Sequence, residues 1–255
     1  MGDFPIDALW LAANAPAFAL VAARTSGVCF TAPVLAAPGL DWRFRIVTAL
    51  ALGVWTAPLA AASVVAPTSA VGLGWLIVNE ALVGGLMGMS ASLVVAAARQ
   101  AGELVSSQAG LSTSALFDPE TGEELTALGH LYGLIALATF IGLDGPLVIL
   151  DALLRSYEAI PVGRSALGRE SADALFLQTA EALKLALRAA APPAAALAIA
   201  GVALGWLGRL APSVPLMALS LPIRAALGVV LVMASLAGLA ACLDGAWLAW
   251  ADGWN

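Results

Sequence analysis

Charged residues are scarce in this chain. Asp, Glu, Lys and Arg make up 11% of its 255 residues, whereas an average soluble domain has about 25%. So little charge excludes a water-soluble globule, because too few polar side chains are present to cover its surface. Lys184 is the single lysine, no basic run exists, and the formal net charge is −6. These features argue against a nucleic-acid partner.

Histidine and cysteine are too rare for the common metal and catalytic sites. His130 is the one histidine, so a His-Glu-x-x-His zinc site is impossible. Cys29 and Cys242 both lie in apolar sequence, where buried free thiols are expected. Lys184 follows Leu183 rather than glycine, which excludes a P-loop. We therefore predict a chain that is not an enzyme and has no cofactor or metal.

Long apolar sequence is what the chain has in abundance. Hydrophobic residues make up 61% of it, and the mean hydropathy is +0.94. A helix rises by about 1.5 Å per residue, so an apolar stretch of about 20 residues can cross a hydrocarbon core of about 30 Å. The sequence predicts an all-α, membrane-associated protein with about six long, kinked hydrophobic helices. The six stretches are Ala8–Leu35, Ile46–Ala66, Gly72–Ala98, Leu125–Leu150, Ala182–Leu207 and Val214–Leu243.

Charges and prolines interrupt these stretches. Each charge would cost about 2.5–3.5 kcal/mol at the centre of a membrane helix. Each interior proline removes a helical hydrogen bond and is expected to kink or break its helix. We therefore expect the helices to pack against many others rather than to face lipid on all sides. The charges are Arg24, Glu80, Asp144, Lys184, Arg188 and Arg224, and the prolines are Pro16, Pro33, Pro58, Pro192, Pro193 and Pro222.

Glu80 is an isolated carboxylate within an apolar helix, so it must pair, take up a proton or face water. Two roles are open from the sequence. Glu80 forms a buried structural ion pair, with Arg24 or with a partner chain, or it relays protons. The nearby Gly84 and Gly88, like Gly201 and Gly205, have the Gly-x-x-x-Gly spacing that lets helix backbones approach closely.

Tryptophans recur on one helical face at the end of the last apolar stretch. Trp247, Trp250 and Trp254 follow the i, i+3, i+7 spacing. Anchoring at the membrane interface is the first interpretation of this stripe, and contact with a partner chain is the second.

Two hydrophilic segments separate the apolar stretches. Arg99–Glu124 contains the sequence GELVSSQAGLSTSALFDPETGEE, in which small hydroxyl residues and a few apolar ones precede a cluster of acids. We predict a loop here. Asp151–Glu181 divides the chain into four apolar stretches and a closing pair.

Three groups within the first hydrophilic segment resemble a known signature. Gly102-Glu103, then Gln108–Leu111, then Phe117–Pro119 are similar to the signature loop of the FliR family, which includes the T-type export apparatus proteins of injectisomes. The family pattern is Gly-Glu, then Gln-Met-Gly, then Asp-Pro, and Ala109 stands where Met is usual. The segments Phe30–Leu52, Asp144–Gly163 and Gly208–Gly228 also resemble the family, in its order.

The resemblance implies a non-enzymatic subunit of the flagellar type III protein export gate, in the bacterial inner membrane at the flagellar basal body. It implies FliP and FliQ homologues as partners, an FlhB-like export switch protein, and unfolded export substrates. Residues 1–165 would form a FliP-like helical part, and residues 166–255 a FliQ-like helical hairpin. Residues 106–119 would be the plug loop of the pore, with Gln108, Ala109, Gly110, Leu111, Ser112, Leu116, Phe117, Asp118 and Pro119 as its gating residues.

The composition of this loop suits a plug. Gly110 and the hydroxyl residues after it give mobility, and apolar side chains such as Leu111 and Phe117 can dewet a narrow lumen. Met in place of Ala109 is expected to tighten the seal or to change little. Asp118-Pro119 would stiffen the end of the loop, because the residue before proline is held extended.

Three alternative functions remain open from the sequence. An injectisome homologue would occupy the same position in a virulence-type system. A small-solute transporter would carry internal repeats, and none is convincing here. An intramembrane serine protease would pair Ser90 or Ser112 with His130.

Overall fold

The computed structural model describes residues 14–36, 40–60, 69–111, 126–164, 168–210 and 216–253. Within these ranges the chain forms seven α-helices and no β-strand, which confirms the all-α prediction. The helices are α1 Ala15–Thr31, α2 Trp42–Ala60, α3 Ala70–Ala109, α4 Ala127–Gly142, α5 Gly145–Ala159, α6 Arg169–Leu210 and α7 Leu216–Asp252.

Several of these helices are long and apolar enough to cross a membrane. In the described part of the chain they number three: α3, the Ser171–Leu210 portion of α6 and the Ser220–Asp252 portion of α7. The pair formed by α4 and α5 makes a fourth if it counts as one bent span. A membrane location follows from this length and composition.

The predicted fourth stretch, Leu125–Leu150, is two helices rather than one. Asp144, between them, has a φ of 55°, in the left-handed region, and Pro146 follows in the first turn of α5. A left-handed residue ends a right-handed helix, and proline is favoured in the first turn of the next one. The break accounts for seven described helices where about six were predicted.

Among the described residues, both hydrophilic segments contain helix, so the prediction of a loop from Arg99 onward is wrong as far as Ala109. Helix α3 continues to Ala109, and α6 begins at Arg169. Ala101, Val105 and Ala109, one helical turn apart, are each 0% exposed. Burial of this face stabilises the helix despite the polar residues between its members, because packing of one face contributes more to helix stability than intrinsic propensity does.

The prolines fall into two groups. Pro16 lies in the first turn of α1, and Pro33 follows the end of that helix. Pro58 lies inside α2, the pair Pro192-Pro193 inside α6, and Pro222 inside α7. The first group delimits a helix, whereas each interior proline lacks the N–H that a helical hydrogen bond requires.

The described residues form two compact units. The first takes its residues from Met1–Leu93, Asp144–Gln178 and Ala251–Asn255, and the second from Val94–Leu143 and Thr179–Trp250. The core of the first unit is a cluster of buried apolar side chains from α1, α3, α5 and the turn after α5. Its largest members are Leu20, Val21, Val28, Met87, Leu153, Tyr157 and Val162.

An aromatic cluster lies in the second unit. The ring centroids of Phe140 and Trp247 are 4.6 Å apart, and those of Trp247 and Trp250 are 6.0 Å apart. The Trp247 Nε1–H donates to Thr139 Oγ1 at 3.1 Å. Trp247 therefore packs within its own unit, which neither interpretation of the tryptophan stripe anticipated. Trp254, the third member of the stripe, lies outside the described residues.

Candidate functional site

A buried ion pair joins α1 to α3 in the first unit. Arg24 Nε lies 2.6 Å from Glu80 Oε2, and both side chains are 0% exposed. The structure thus brings together the two charges that the sequence analysis singled out. Desolvating two charges costs several kcal/mol per ion, so such a pair persists only where additional hydrogen bonds satisfy both groups.

Arg24 finds those additional bonds at the end of α5. Its Nη1 donates to the carbonyl oxygen of Ser156 at 3.0 Å and to the Ser156 hydroxyl at 3.2 Å. Its Nη2 donates to the carbonyl oxygen of Ile160 at 3.1 Å. The guanidinium also lies over the Tyr157 ring, with Cζ 5.0 Å from the ring centroid. Arg24 therefore caps the C-terminal end of α5, where unpaired carbonyls favour a positive charge.

The second oxygen of Glu80 holds the turn that follows α5. The backbone N–H of Gly163 donates to Glu80 Oε1 at 2.9 Å. Gly163 has a φ of 85°, in the left-handed region that glycine adopts without strain. Arg24 and Glu80 together fasten α1, α3, α5 and this turn around one centre.

Glycines make the ion pair possible by letting the backbones of α1 and α3 touch. A Cβ on Gly84 would overlap the Arg24 carbonyl oxygen, and one on Gly27 would overlap the Ala81 carbonyl oxygen. A Cβ on Gly88 would lie 2.8 Å from the Ala32 nitrogen. The first Gly-x-x-x-Gly pair thus brings two helices together, as its spacing predicts.

The second Gly-x-x-x-Gly pair behaves differently. A Cβ on Gly201 would lie 2.9 Å from Arg224 Nη2, so this glycine makes room for a guanidinium rather than for a helix backbone. Nothing lies within 4 Å of a Cβ built on Gly205.

The end of α3 carries the first predicted plug residues. Gln108 is exposed and Ala109 is fully buried, and both are helical rather than part of a loop. A Cβ on Gly228 of α7 would lie 2.6 Å from the Ala109 Cβ. Ala109 is therefore a packing contact between α3 and α7.

Gly110 ends α3. Its φ is 77°, and its N–H donates to the Ser107 carbonyl oxygen at 3.2 Å. A left-handed glycine directly after the last helical residue is a common helix terminator. Leu111 follows as a half-buried residue. The predicted plug residues Ser112, Leu116, Phe117, Asp118 and Pro119 lie outside the described residues.

The sequence analysis missed the contact that Glu103 makes with Thr126. Glu103 entered only as part of the Gly102-Glu103 signature, with no role. In the structure its Oε1 accepts hydrogen bonds from the Thr126 backbone N–H at 2.7 Å and from the Thr126 hydroxyl at 3.0 Å. The acid of the Gly102-Glu103 pair was the available signal in the sequence, but its partner Thr126 lies 23 residues further along the chain.

Among the residues that the structure describes, no group of three or more His, Cys, Asp or Glu could hold a metal ion. In the first unit, the buried charges of Arg24 and Glu80 join its own helices. These features define a class of protein: a polytopic helical membrane protein whose buried charges hold its helices together.

Comparison with known sequences specifies the class further. The sequence pattern of "Bacterial export proteins, family 1" matches residues 15–249, so the chain belongs to this family of export proteins and is not an enzyme. The flagellar biosynthetic protein FliR of Caulobacter vibrioides is 29% identical over 224 residues, covering 87% of this chain and 89% of the relative. FliR of Escherichia coli (strain K12) is 28% identical, covering 83% and 80%. The Yop proteins translocation protein T of Yersinia pestis is 30% identical, covering 76% and 75%.

Proposed function

We propose that the chain is the FliR-type subunit of a flagellar type III protein export gate. It completes a secretion pore with FliP and FliQ homologues in the bacterial inner membrane, at the flagellar basal body. The observation that carries this proposal is the similarity to flagellar FliR proteins along more than four-fifths of the chain. Unfolded export substrates pass through the pore, an FlhB-like switch protein acts beside it, and other subunits supply the energy.

Exposed apolar side chains on α6 support an assembly with other helices. Glu181 and Lys184 form an exposed ion pair at 2.7 Å on the same helix. Charges are costly at the centre of a lipid-facing helix, so this part of α6 favours protein or water as its neighbour. The large apolar side chains exposed on α6 include Phe176, Leu177, Leu183, Leu187, Ile199, Val202 and Trp206.

The FliP-like and FliQ-like division remains part of the proposal. Residues 1–165 would correspond to the FliP-like part, and residues 166–255, which contain α6 and α7, to the FliQ-like hairpin. Two consecutive long helices, Arg169–Leu210 and Leu216–Asp252, are compatible with a hairpin. The resemblance of the sequence to the family is the main support for this division.

The plug is proposed to begin later than the sequence suggested. Ser106 and Ala109 are each 0% exposed and helical, so they form the anchor of the loop. Gly110, with its positive φ, is the hinge. The plug would then run from Leu111 to Pro119, with the apolar side chains sealing the lumen and Asp118-Pro119 at the exit.

An injectisome homologue in the same position is the second candidate. The Yersinia pestis translocation protein is 30% identical but covers 76% of this chain, whereas the Caulobacter vibrioides FliR covers 87%, so the flagellar role stays the first candidate. The two candidates share the pore and the plug, and they differ in the substrates that the apparatus exports.

Deletion of the gene tests the proposal. A flagellar gate subunit predicts loss of motility and of filament-protein export, both restored by the wild-type chain, together with co-purification of FliP and FliQ homologues. Loss of virulence-type effector export with normal motility would support the injectisome candidate. Normal export in both systems, in cells that lack the chain, would overturn both.

A further inference from the structure

Arg224 is a cation inside the apolar helix α7, within the portion that is long enough to cross a membrane. Its Nε is buried and has no hydrogen-bond partner among the residues that the structure describes. The side chain as a whole is half-buried, so a neighbour outside this chain can still reach it. A guanidinium in apolar surroundings needs a counter-charge or acceptors, because an unpaired buried donor retains its full desolvation cost.

The described acids of the second unit, Glu103, Glu181 and Asp244, do not neutralise Arg224. Glu103 accepts two hydrogen bonds at the start of α4, and Glu181 pairs with Lys184 at 2.7 Å. Asp244 lies about 30 Å from Arg224 along α7, at about 1.5 Å per residue. The charge of Arg224 is therefore left for a group outside the described part of the chain.

The guanidinium of Arg224 lies against α6, well inside the end of that helix. Its Nη2 lies 2.9 Å from a Cβ built on Gly201. Gly201 is about 14 Å before the end of α6 at Leu210, at about 1.5 Å per residue. A long cationic side chain that serves a lipid headgroup extends to the membrane interface instead. The position of Arg224 therefore favours a protein carboxylate over a lipid phosphate as its counter-charge.

An open face close to Arg224 has room for a further helix. Nothing lies within 4 Å of a Cβ built on Gly205, which is one turn beyond Gly201 on the same face of α6. Leu227, one turn after Arg224 on α7, is 37% exposed. Small residues let helix backbones approach closely, and exposed apolar side chains can then pack around the contact. This combination fits an apolar helix rather than a single ion.

We propose that Gly201, Gly205, Arg224 and Leu227 form a docking surface for an apolar helix of another gate subunit, and that this helix carries an aspartate or a glutamate. Its carboxylate pairs with Arg224, whose planar guanidinium can bind a carboxylate through two parallel hydrogen bonds. Charge complementarity selects the partner, because a helix without an acid would leave Arg224 unpaired. The inference rests on the proposed function in one respect, that the partner is a subunit of the export gate.

Recovery of partner subunits with the affinity-purified chain tests this docking surface. Arg224→Leu should lower the recovery on the order of tenfold or more, because the carboxylate of the partner loses its counter-charge. Arg224→Lys retains the charge without the planar fork and should cause a smaller loss. Arg209→Leu, which removes an exposed arginine in the last turn of α6, is the matched control and should equal wild type. Equal recovery for all three variants overturns the proposal.

A second pair of variants tests the surface even if Arg224→Leu fails to fold. Gly205→Leu adds a side chain where this chain has nothing within 4 Å, so it obstructs an approaching helix without disturbing its own packing. Gly238→Leu makes the same change on α7, again with nothing within 4 Å, and is the control. Lower recovery for Gly205→Leu than for Gly238→Leu supports the docking surface. Equal recovery for these two variants contradicts it.

Compensating substitutions identify the partner group. Selection for restored motility in cells that carry Arg224→Glu should give a lysine or an arginine in place of an acid, in a membrane helix of a co-purified subunit. Compensation within this chain would overturn the pairing between subunits. Full subunit recovery for Arg224→Leu with loss of bound phospholipid, measured by native mass spectrometry, would assign Arg224 to a lipid and also overturn it. A wild-type chain that recovers no partner subunit would contradict the proposed function itself.

Discussion

The carboxylate of Glu80 and the guanidinium of Arg24 meet at 2.6 Å, with neither side chain exposed. The two residues come from different helices, and each also binds backbone near the end of α5, through Ile160 and Gly163. The pair therefore organises a junction of three helices and a turn. This arrangement supports the structural role proposed for Glu80 over the relay role.

Removing one partner of this pair should destabilise the protein more than removing both. Glu80→Leu leaves a buried guanidinium without its counter-charge, which costs about 3–5 kcal/mol in comparable sites. The double variant Arg24→Leu, Glu80→Leu should recover part of that loss, because no uncompensated charge remains. Thermal denaturation of the purified complex measures the difference. Additive effects of the two substitutions would contradict the coupling.

Glu80→Gln separates the structural role from a relay. Its single carbonyl oxygen can serve either Arg24 Nε or the Gly163 N–H, and its amide group then faces the other donor. We expect assembly to be modestly impaired and the dependence of secretion on proton-motive force to be retained. Normal assembly together with loss of that dependence would establish the relay role instead.

Gly84→Ala should disrupt the contact between α1 and α3. Its Cβ would overlap the Arg24 carbonyl oxygen, and backbone cannot move aside as a flexible side chain can. Overpacking of this kind costs about 1–3 kcal/mol. Gly74→Ala on the same helix is the control, because nothing lies within 4 Å of its Cβ. Alanine there should be neutral or stabilise α3 by up to about 1 kcal/mol. Equal melting temperatures for the two variants would contradict the close approach.

Ala109→Met should impair packing rather than tighten a seal. Ala109 is fully buried, and its Cβ leaves no space for even one carbon on Gly228. A longer side chain must force α3 and α7 apart, at a cost of about 1–3 kcal/mol. Ala109→Ser, nearly the same size, is the control for space. A lower melting temperature of the complex for Met but not for Ser is expected, and a seal that becomes tighter with unchanged stability would refute this.

Deleting Gly110–Ser114 should open the resting gate. The deletion starts after the last residue of α3, so the buried contact of Ala109 remains and assembly should survive. A water-filled lumen passes ions when no apolar side chain dewets it, so leakage should rise. Gly110→Asp should act similarly, because an aspartate is strained at the φ of 77°. The measurement is ion leakage through the assembled gate, with wild type as reference. Equal leakage would remove the plug from the proposal.

The isolated chain should not form a stable unit. Helices α6 and α7 expose many large apolar side chains, and α6 also carries exposed charges. Neither lipid alone nor water satisfies both kinds of group. Expression without partners should give degradation or aggregation, and co-expression with FliP and FliQ homologues should give one large complex. A monodisperse, thermally stable monomer in detergent would contradict this expectation.

The sequence by itself determined the class and the family. Low charge and long apolar stretches required helices in a membrane or in an apolar assembly, because no other structure satisfies the backbone there. The signature within Gly102–Pro119, together with three further segments in the family's order, indicated the family, which the match over residues 15–249 confirms. The apolar stretches located the helices but not their ends, since Arg99 and Arg169 are as compatible with a loop as with a helix.

Only the tertiary structure decided which distant residues meet. Glu80 accepts a hydrogen bond from Gly163, and Glu103 accepts one from Thr126. No local sequence pattern predicts either partner. Burial of Ala101, Val105 and Ala109 on one face extended α3 through sequence that is polar on average. The left-handed Asp144 divided one apolar stretch into two helices. Each of these outcomes depends on contacts between residues far apart in sequence, or on one backbone angle, and the hydrophobic pattern of a chain reports neither.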